Sequence, residues 1–120
     1  MRTGFFWDER CFWHGGGNYA FLLPLGGLVQ PAAHGGLPED PESKRRFRNL
    51  LDVTGLLREL HAASAEPVTE EDLLRVHPER YLQTFRQTSA SGGGELGLRT
   101  PFGPQGYETA RLSAGLAKAA

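Results

Sequence analysis

TGFFWDERCFWHGGGNY, residues 3–19, is the stretch on which the fold turns. It opens with Gly4, Phe5, Phe6 and Trp7, a run of the aromatic residues that favour a pleated, buried strand. Asp8, Glu9 and Arg10 end that run, Phe12 and Trp13 follow, and the segment passes into Gly15, Gly16, Gly17 and Asn18. A strand whose carboxyl end leads into a glycine-rich loop is the place where α/β proteins hold ligands. The plain alternative is a buried first strand followed by a flexible turn, and these residues alone do not decide between them.

Outward from there, residues 20–40 (AFLLPLGGLVQPAAHGGLPED) carry apolar side chains without a period, and Pro24, Pro31 and Pro38 forbid a long helix. The segment is too apolar for disorder and reads as a packed surface loop, suited to the wall or rim of a binding site. Asp40, Pro41 and Glu42 then form a helix start: cap, proline at the first helical position, acid in the first turn. Phe47, Leu50 and Leu51 mark its apolar face, with Lys44, Arg45, Arg46 and Arg48 around the rest. Gly55 breaks the pattern, Leu56, Leu57 and Leu60 resume it as a second short helix, and residues 65–68 suit a short strand. Thr69 with Asp72 makes a capping box before Leu73 and Leu74. His77, acting as a cap before Pro78, opens another helix with Tyr81, Leu82 and Phe85 inside. Gly92, Gly93 and Gly94 interrupt, and a last helix rich in small residues runs from Gln105.

Strand, loop, helices, weak strand, helices, loop, helix is the opening of an α/β domain. Parallel strands need neighbours on their edges and cover on both faces, yet at most two strands are legible. The last helix reaches Lys118, Ala119 and Ala120 with no stop signal. The expectation is therefore one partial domain over residues 1–120, with one or two strands and four or five helices.

The totals narrow the classes. The 120 residues carry a formal charge of −1, with 39% hydrophobic and 22% charged residues. Nothing in that balance draws the chain to nucleic acid or a membrane surface. One cysteine, Cys11, excludes an internal disulfide and a multi-cysteine zinc site. No apolar run has the length to span a bilayer and the first residues are too polar for a signal peptide, so the cytoplasm is the expected compartment.

Candidate chemistry is sparse. His14, His34, His61 and His77 are isolated, with no ligand spacing among them. Neither triple-glycine segment has the spacing of a phosphate loop. Cys11 lacks a base beside it beyond His14, three residues on. The basic run from Lys44 to Arg48 reads as a solvated helix face, from which one arginine can turn inward toward an anion or carbonyl. Glu95, a lone acid in a glycine-rich loop, is either solvated or an anchor for an incoming backbone.

Five segments in order carry a resemblance: TGFFWDERCFWHGGGNY, VQPAAH, PESKRRFRNLLDVTGLL, TEEDLLRVHPERYL and SGGGELGLRTPFGPQGYETARLSAG. Together they resemble the amino-terminal part of the bacterial class II histone deacetylase-like amidohydrolases, of the arginase/deacetylase fold. The resemblance implies a three-layer α/β fold with a parallel sheet, incomplete here. It implies a zinc-dependent parent that hydrolyses acetyl-lysine, acetylpolyamine or similar amides. In that family the histidine pair, the zinc ligands and the catalytic tyrosine begin with a PPGHH segment, and this sequence has neither that segment nor a DxH. By this resemblance the chain binds no cofactor itself and carries no catalytic residue, only the substrate-channel rim: Trp13, His14, Asn18, Tyr19 and Glu95. Gly15 and Gly16 stand where the family has an aspartate–threonine pair. Arg46, rather than Arg45, is expected as the arginine beneath the pocket. Expected partners are an acetylated amine in the complete enzyme, and either a second copy or the carboxyl-terminal part. The alternatives are a stand-alone non-catalytic binding module and a truncated fragment without function.

Overall fold

The computed structural model describes residues 3–13, 19–20, 23–24, 41–98 and 100–120. Strand β1 (Gly4–Phe6) leads into a 3-10 turn (Glu9–Phe12), followed by the two-residue strands β2 (Tyr19–Ala20) and β3 (Leu23–Pro24). Helix α1 (Pro41–Val53), a second 3-10 turn (Leu56–Glu59) and strand β4 (His61–Ala63) come next. Helices α2 (Glu70–Leu74) and α3 (Glu79–Ala90), strands β5 (Gly94–Glu95) and β6 (Pro101–Phe102) and helix α4 (Gly106–Ala119) complete the order. This is the expected α/β architecture, with a small parallel sheet and helices packed about it.

β1 and β4 are parallel, with Gly4 opposite His61, Phe5 opposite Ala62 and Phe6 opposite Ala63. The second parallel strand therefore lies earlier than the expected residues 65–68. Those residues give their backbone to a helix instead: the Val68 N–H donates to the Arg111 carbonyl, and Arg111 Nε donates to the Val68 carbonyl at 3.0 Å. Pro67 has no N–H to offer a sheet. The β2–β3 and β5–β6 pairs are antiparallel and two residues long, too short to leave a periodic signal.

α1 begins at Pro41 as its start signal predicts, and the chain leaves it through Gly55 at φ 78°, a backbone region that glycine enters without strain. Its apolar stripe is not the buried face. Leu51 is buried, but Phe47 and Leu50 are 56% and 57% exposed. The residues resuming after Gly55 form the 3-10 turn rather than an α-helix. The cap of α3 also differs from expectation: Pro78 occupies the cap position, and His77 sets its ring 5.2 Å from that of Tyr81.

The capping box of α2 is present in full. Thr69 Oγ1 accepts from the Asp72 N–H, and Asp72 Oδ2 accepts from the Thr69 N–H, both at 3.2 Å. Asp72 also receives Lys118 Nζ at 2.6 Å, which ties α2 to the end of α4. The Lys118 ammonium, then the Thr69 donors, pull the Asp72 carboxyl down to about 2 from its ordinary 3.8. A carboxyl lowered by folding stabilises the fold fully above its unfolded value, and the contribution disappears as pH falls through the folded value. Asp72→Asn should therefore flatten the fall of the thermal midpoint between pH 3.8 and about 2. An unchanged acid slope in calorimetry would contradict the link.

The buried core gathers Leu51, Val68, Leu82, Tyr107 and Leu112. The Phe85 ring meets Phe102 at 4.7 Å and Tyr107 at 5.3 Å, both edge-on, the arrangement that ring quadrupoles favour. Ser89, 3% exposed, donates its hydroxyl to the Pro104 carbonyl at 2.9 Å and accepts the Tyr107 N–H at 3.2 Å. A side chain of α3 thus satisfies an N–H in the first turn of α4, a group that no intrahelical partner reaches.

Candidate functional site

The carboxyl ends of β1 and β4 are joined just beyond the last strand residues. The Trp7 N–H donates to the Ala63 carbonyl at 2.9 Å, and Ser64 Oγ donates to Asp8 Oδ2 at 2.7 Å. Asp8 also accepts the Arg10 N–H at 2.9 Å and takes the Arg10 guanidinium through two bonds, Nε at 2.9 Å and Nη2 at 2.7 Å. One carboxylate therefore caps the 3-10 turn and couples it to the second strand. The Arg10 guanidinium, then the Ser64 hydroxyl, hold it well below the usual carboxylate range.

That turn carries Glu9, Cys11, Phe12 and then Trp13. Arg45 reaches it from α1: its Nε donates to Glu9 Oε1 at 2.7 Å, and its Nη1 to Glu42 Oε1 at 2.9 Å. The same guanidinium lies 5.4 Å from the Phe12 ring centroid and 6.0 Å from that of Trp13. Arg48, one turn along, lies 5.4 Å over Trp7. Glu9 Oε1 also accepts the Trp13 indole N–H at 3.3 Å. Trp13 is 56% exposed, so its polar edge is anchored while its ring face stays open. Beside it a cleft of about 430 Å³ runs between the turn and α4, with Glu9, Arg10 and Trp13 on one side and Pro67, Glu108 and Leu112 on the other.

Of the expected rim residues, Trp13 stands at this cleft and Glu95 is exposed on the β5–β6 hairpin, with no hydrogen bond or ion pair to Trp13 or Arg45. The backbone of Tyr19 pairs with Pro24 in the β2–β3 hairpin. His14 and Asn18 lie outside the described residues. Arg46 is exposed, and the arginine that turns inward is its neighbour Arg45, with 19% of its side chain accessible. The reason is helical phase: Arg45 and Arg48, three apart, share the face that meets the aromatic surface of Phe12 and Trp7, and Arg46 points about 100° away.

The described residues at this place offer ion pairs, hydrogen bonds and an aromatic ring. Burial, then the Asp8 carboxylate, pushes the Cys11 thiol up, away from the lowered range of reactive thiols. Among the described residues no three histidine, cysteine, aspartate or glutamate side chains converge to hold a metal. His61 is exposed on β4 and the His77 ring lies tilted against Tyr81, while His34, like His14, lies outside the described residues. Among the described residues these donors do not fit a zinc site. Among the described residues no helix is long and apolar enough to cross a membrane.

No family profile matches the chain. It is 57% identical over 119 residues to a histone deacetylase-like amidohydrolase of Pseudomonas aeruginosa, a match covering 99% of this chain and 31% of that protein. An uncharacterized protein of Synechocystis is 39% identical over 57 residues, 45% of this chain and 19% of that protein. The chain thus spans less than a third of the length of either curated relative. The crystal structure of an HDA15 HD domain superposes with a TM-score of 0.75 at 22% identity, over 99% of this chain and 30% of that one. Sequence and backbone together relate this chain to the histone deacetylase-like amidohydrolases, over a stretch equal to about three-tenths of such a protein.

Proposed function

We propose that this chain forms the substrate-entrance wall of a zinc-dependent deacetylase acting on acetyl-lysine, acetylpolyamine or a similar amide, and that it supplies no metal ligand or catalytic group. The observation that carries this reading is the 57% identity to an amidohydrolase along 99% of the chain. The position of the aromatic turn agrees with it, because ligands of open α/β sheets lie beyond the carboxyl ends of the strands. In this reading Trp13 offers its open ring face to the substrate chain, and His14, Asn18 and Tyr19 are assigned to the rim by the resemblance alone. Glu95 accepts an N–H of the substrate backbone. Arg45 takes the place expected for Arg46 beneath the pocket. The zinc chemistry belongs to the two-thirds of the relative that this chain does not match. The cytoplasm is the compartment of the assembled enzyme.

The test is a hybrid in which this chain replaces its matching stretch in the Pseudomonas protein. The hybrid should hydrolyse an acetyl-lysine peptide and lose that activity to a chelator, whereas the chain alone should give no turnover. Trp13→Ala in the hybrid should raise KM by about three- to tenfold with kcat within about twofold, the signature of lost uniform binding. Chelator-sensitive turnover by the chain alone, or a folded hybrid without turnover, would overturn the reading.

A further inference from the structure

Trp13 is fixed at both ends. Its backbone N–H closes the 3-10 turn on the Arg10 carbonyl at 3.1 Å, and its indole N–H donates to Glu9 Oε1 at 3.3 Å. With the main chain and the polar edge of the indole both held, the direction of the ring follows from where Glu9 stands. Glu9 has 49% of its side chain accessible, and a glutamate so placed ordinarily samples several rotamers in water. Its placement therefore needs a second hold.

That hold comes from α1. Arg45 donates Nε to the same oxygen, Glu9 Oε1, at 2.7 Å, and its Nη2 lies 2.6 Å from it. The guanidinium is itself kept in place by Glu42 at 2.9 Å, one turn earlier on α1, and by the Phe12 ring 5.4 Å away. With 19% of its side chain accessible, Arg45 is the more enclosed of the two partners. Its planar fork serves Glu9 and Glu42 at once, which a lysine ammonium does less rigidly. The same guanidinium lies over the Trp13 ring, 6.0 Å from the centroid, so one carboxylate oxygen and one cation define the position of the indole. Trp13 still lines the cleft toward Glu108 and Leu112.

We infer that Glu9 is a positioning residue, whose carboxylate passes the placement of Arg45 on to Trp13 and sets the ring in the orientation that meets the substrate chain. Glu9 touches no reacting atom; it acts through the indole. For its substrate this inference rests on the proposed function, whereas the anchoring of the ring does not depend on any activity. What the indole needs at position 9 is an acceptor oxygen at the end of a side chain of this length. Glutamine supplies one and alanine does not.

Two measurements test it. The first is proton exchange with water at the Trp13 indole, read by nuclear magnetic resonance on the isotope-labelled chain, with Trp7→Phe identifying the signal. Glu9→Ala and Arg45→Met should each speed that exchange by about threefold or more, and Glu9→Gln should keep it within about twofold of the parent. The second uses the Pseudomonas hybrid. There Glu9→Ala should raise KM by about three- to tenfold with kcat within about twofold, because Glu42 still holds Arg45. Glu9→Gln should restore KM, and Glu9→Ala should add less than about twofold to KM once Trp13 is alanine. A merely structural role would raise KM equally in both backgrounds. An indole proton untouched by Glu9→Ala or by Arg45→Met, a Glu9→Gln variant as impaired as Glu9→Ala, or an additive double variant would each overturn the inference. A folded hybrid without turnover would refute the proposed function instead, and the exchange rates would then decide the inference by themselves.

Discussion

Gly115→Ala should lower the unfolding free energy by roughly 2–4 kcal/mol, although alanine is the better helix former by about 1 kcal/mol. The reason is the closeness of α4 to the segment it crosses. A β-carbon at Gly115 would overlap the Glu66 carbonyl oxygen and press on the Pro67 Cα at 3.3 Å. Both obstacles are backbone, so neither can swing aside. The seam cannot simply widen, because the Arg111 carbonyl accepts the Val68 N–H at 3.1 Å and Lys118 holds Asp72 farther along. Relief of the overlap therefore costs those bonds or lifts Val68 and Leu112, 6% and 4% exposed, out of the core. Gly97 is the control, because a β-carbon there has nothing nearer than the Thr100 hydroxyl at 3.8 Å. Gly97→Ala should stay within about 0.5 kcal/mol of the parent in urea unfolding. Equal midpoints for the two variants would refute the close-approach argument.

How far the sequence discloses this molecule depends on the range of the forces involved. The first strand, the start of α1, the capping box at Thr69 and the helix from Gln105 each rest on signals contained within a few residues, and each is present. The second strand is misplaced by a few residues because the fate of residues 65–68 is settled by Arg111 and Gly115, more than forty positions away in the chain. The candidate site divides along the same line. Asp8 followed by Arg10 is a local cap signal, an aspartate ahead of the turn whose N–H it accepts, and it is legible within three residues. The link from Glu9 to Arg45 spans 36 residues and has no local trace. Choosing Arg45 over Arg46 requires the aromatic surface of Phe12 and Trp13 to be in place, and that surface exists only after the turn packs on α1. The exposed stripe of Phe47 and Leu50 shows the converse: a sound helical periodicity identified an apolar face without saying what lies against it.

Tyr107→Ala should abolish cooperative folding of this chain at room temperature, whereas Tyr81→Ala should cost less than about 1.5 kcal/mol. Both residues belong to one aromatic row running His77, Tyr81, Phe85, Phe102 and Tyr107. Burial separates them. Tyr107 is 5% exposed and sits edge-on to Phe85, where truncation leaves a cavity between α3 and α4 and removes a ring pair. Losses of about 3–5 kcal/mol follow such aromatic deletions. A domain holds about 5–15 kcal/mol, and a fold whose parallel sheet has two strands among the described residues stands at the low end of that range. Tyr81 is 39% exposed and already keeps part of its ring in water, so its removal forfeits much less contact. The Ser89 hydroxyl sharpens the contrast, because it accepts the N–H of Tyr107 itself and loses its registration when the ring no longer holds the first turn of α4. Far-UV circular dichroism with urea titration reads the difference: Tyr81→Ala should keep a sigmoidal transition, and Tyr107→Ala should show none. A cooperative Tyr107→Ala transition within about 1 kcal/mol of the parent would mean that the α3–α4 seam is held from elsewhere, and the core would have to be redrawn around Leu51.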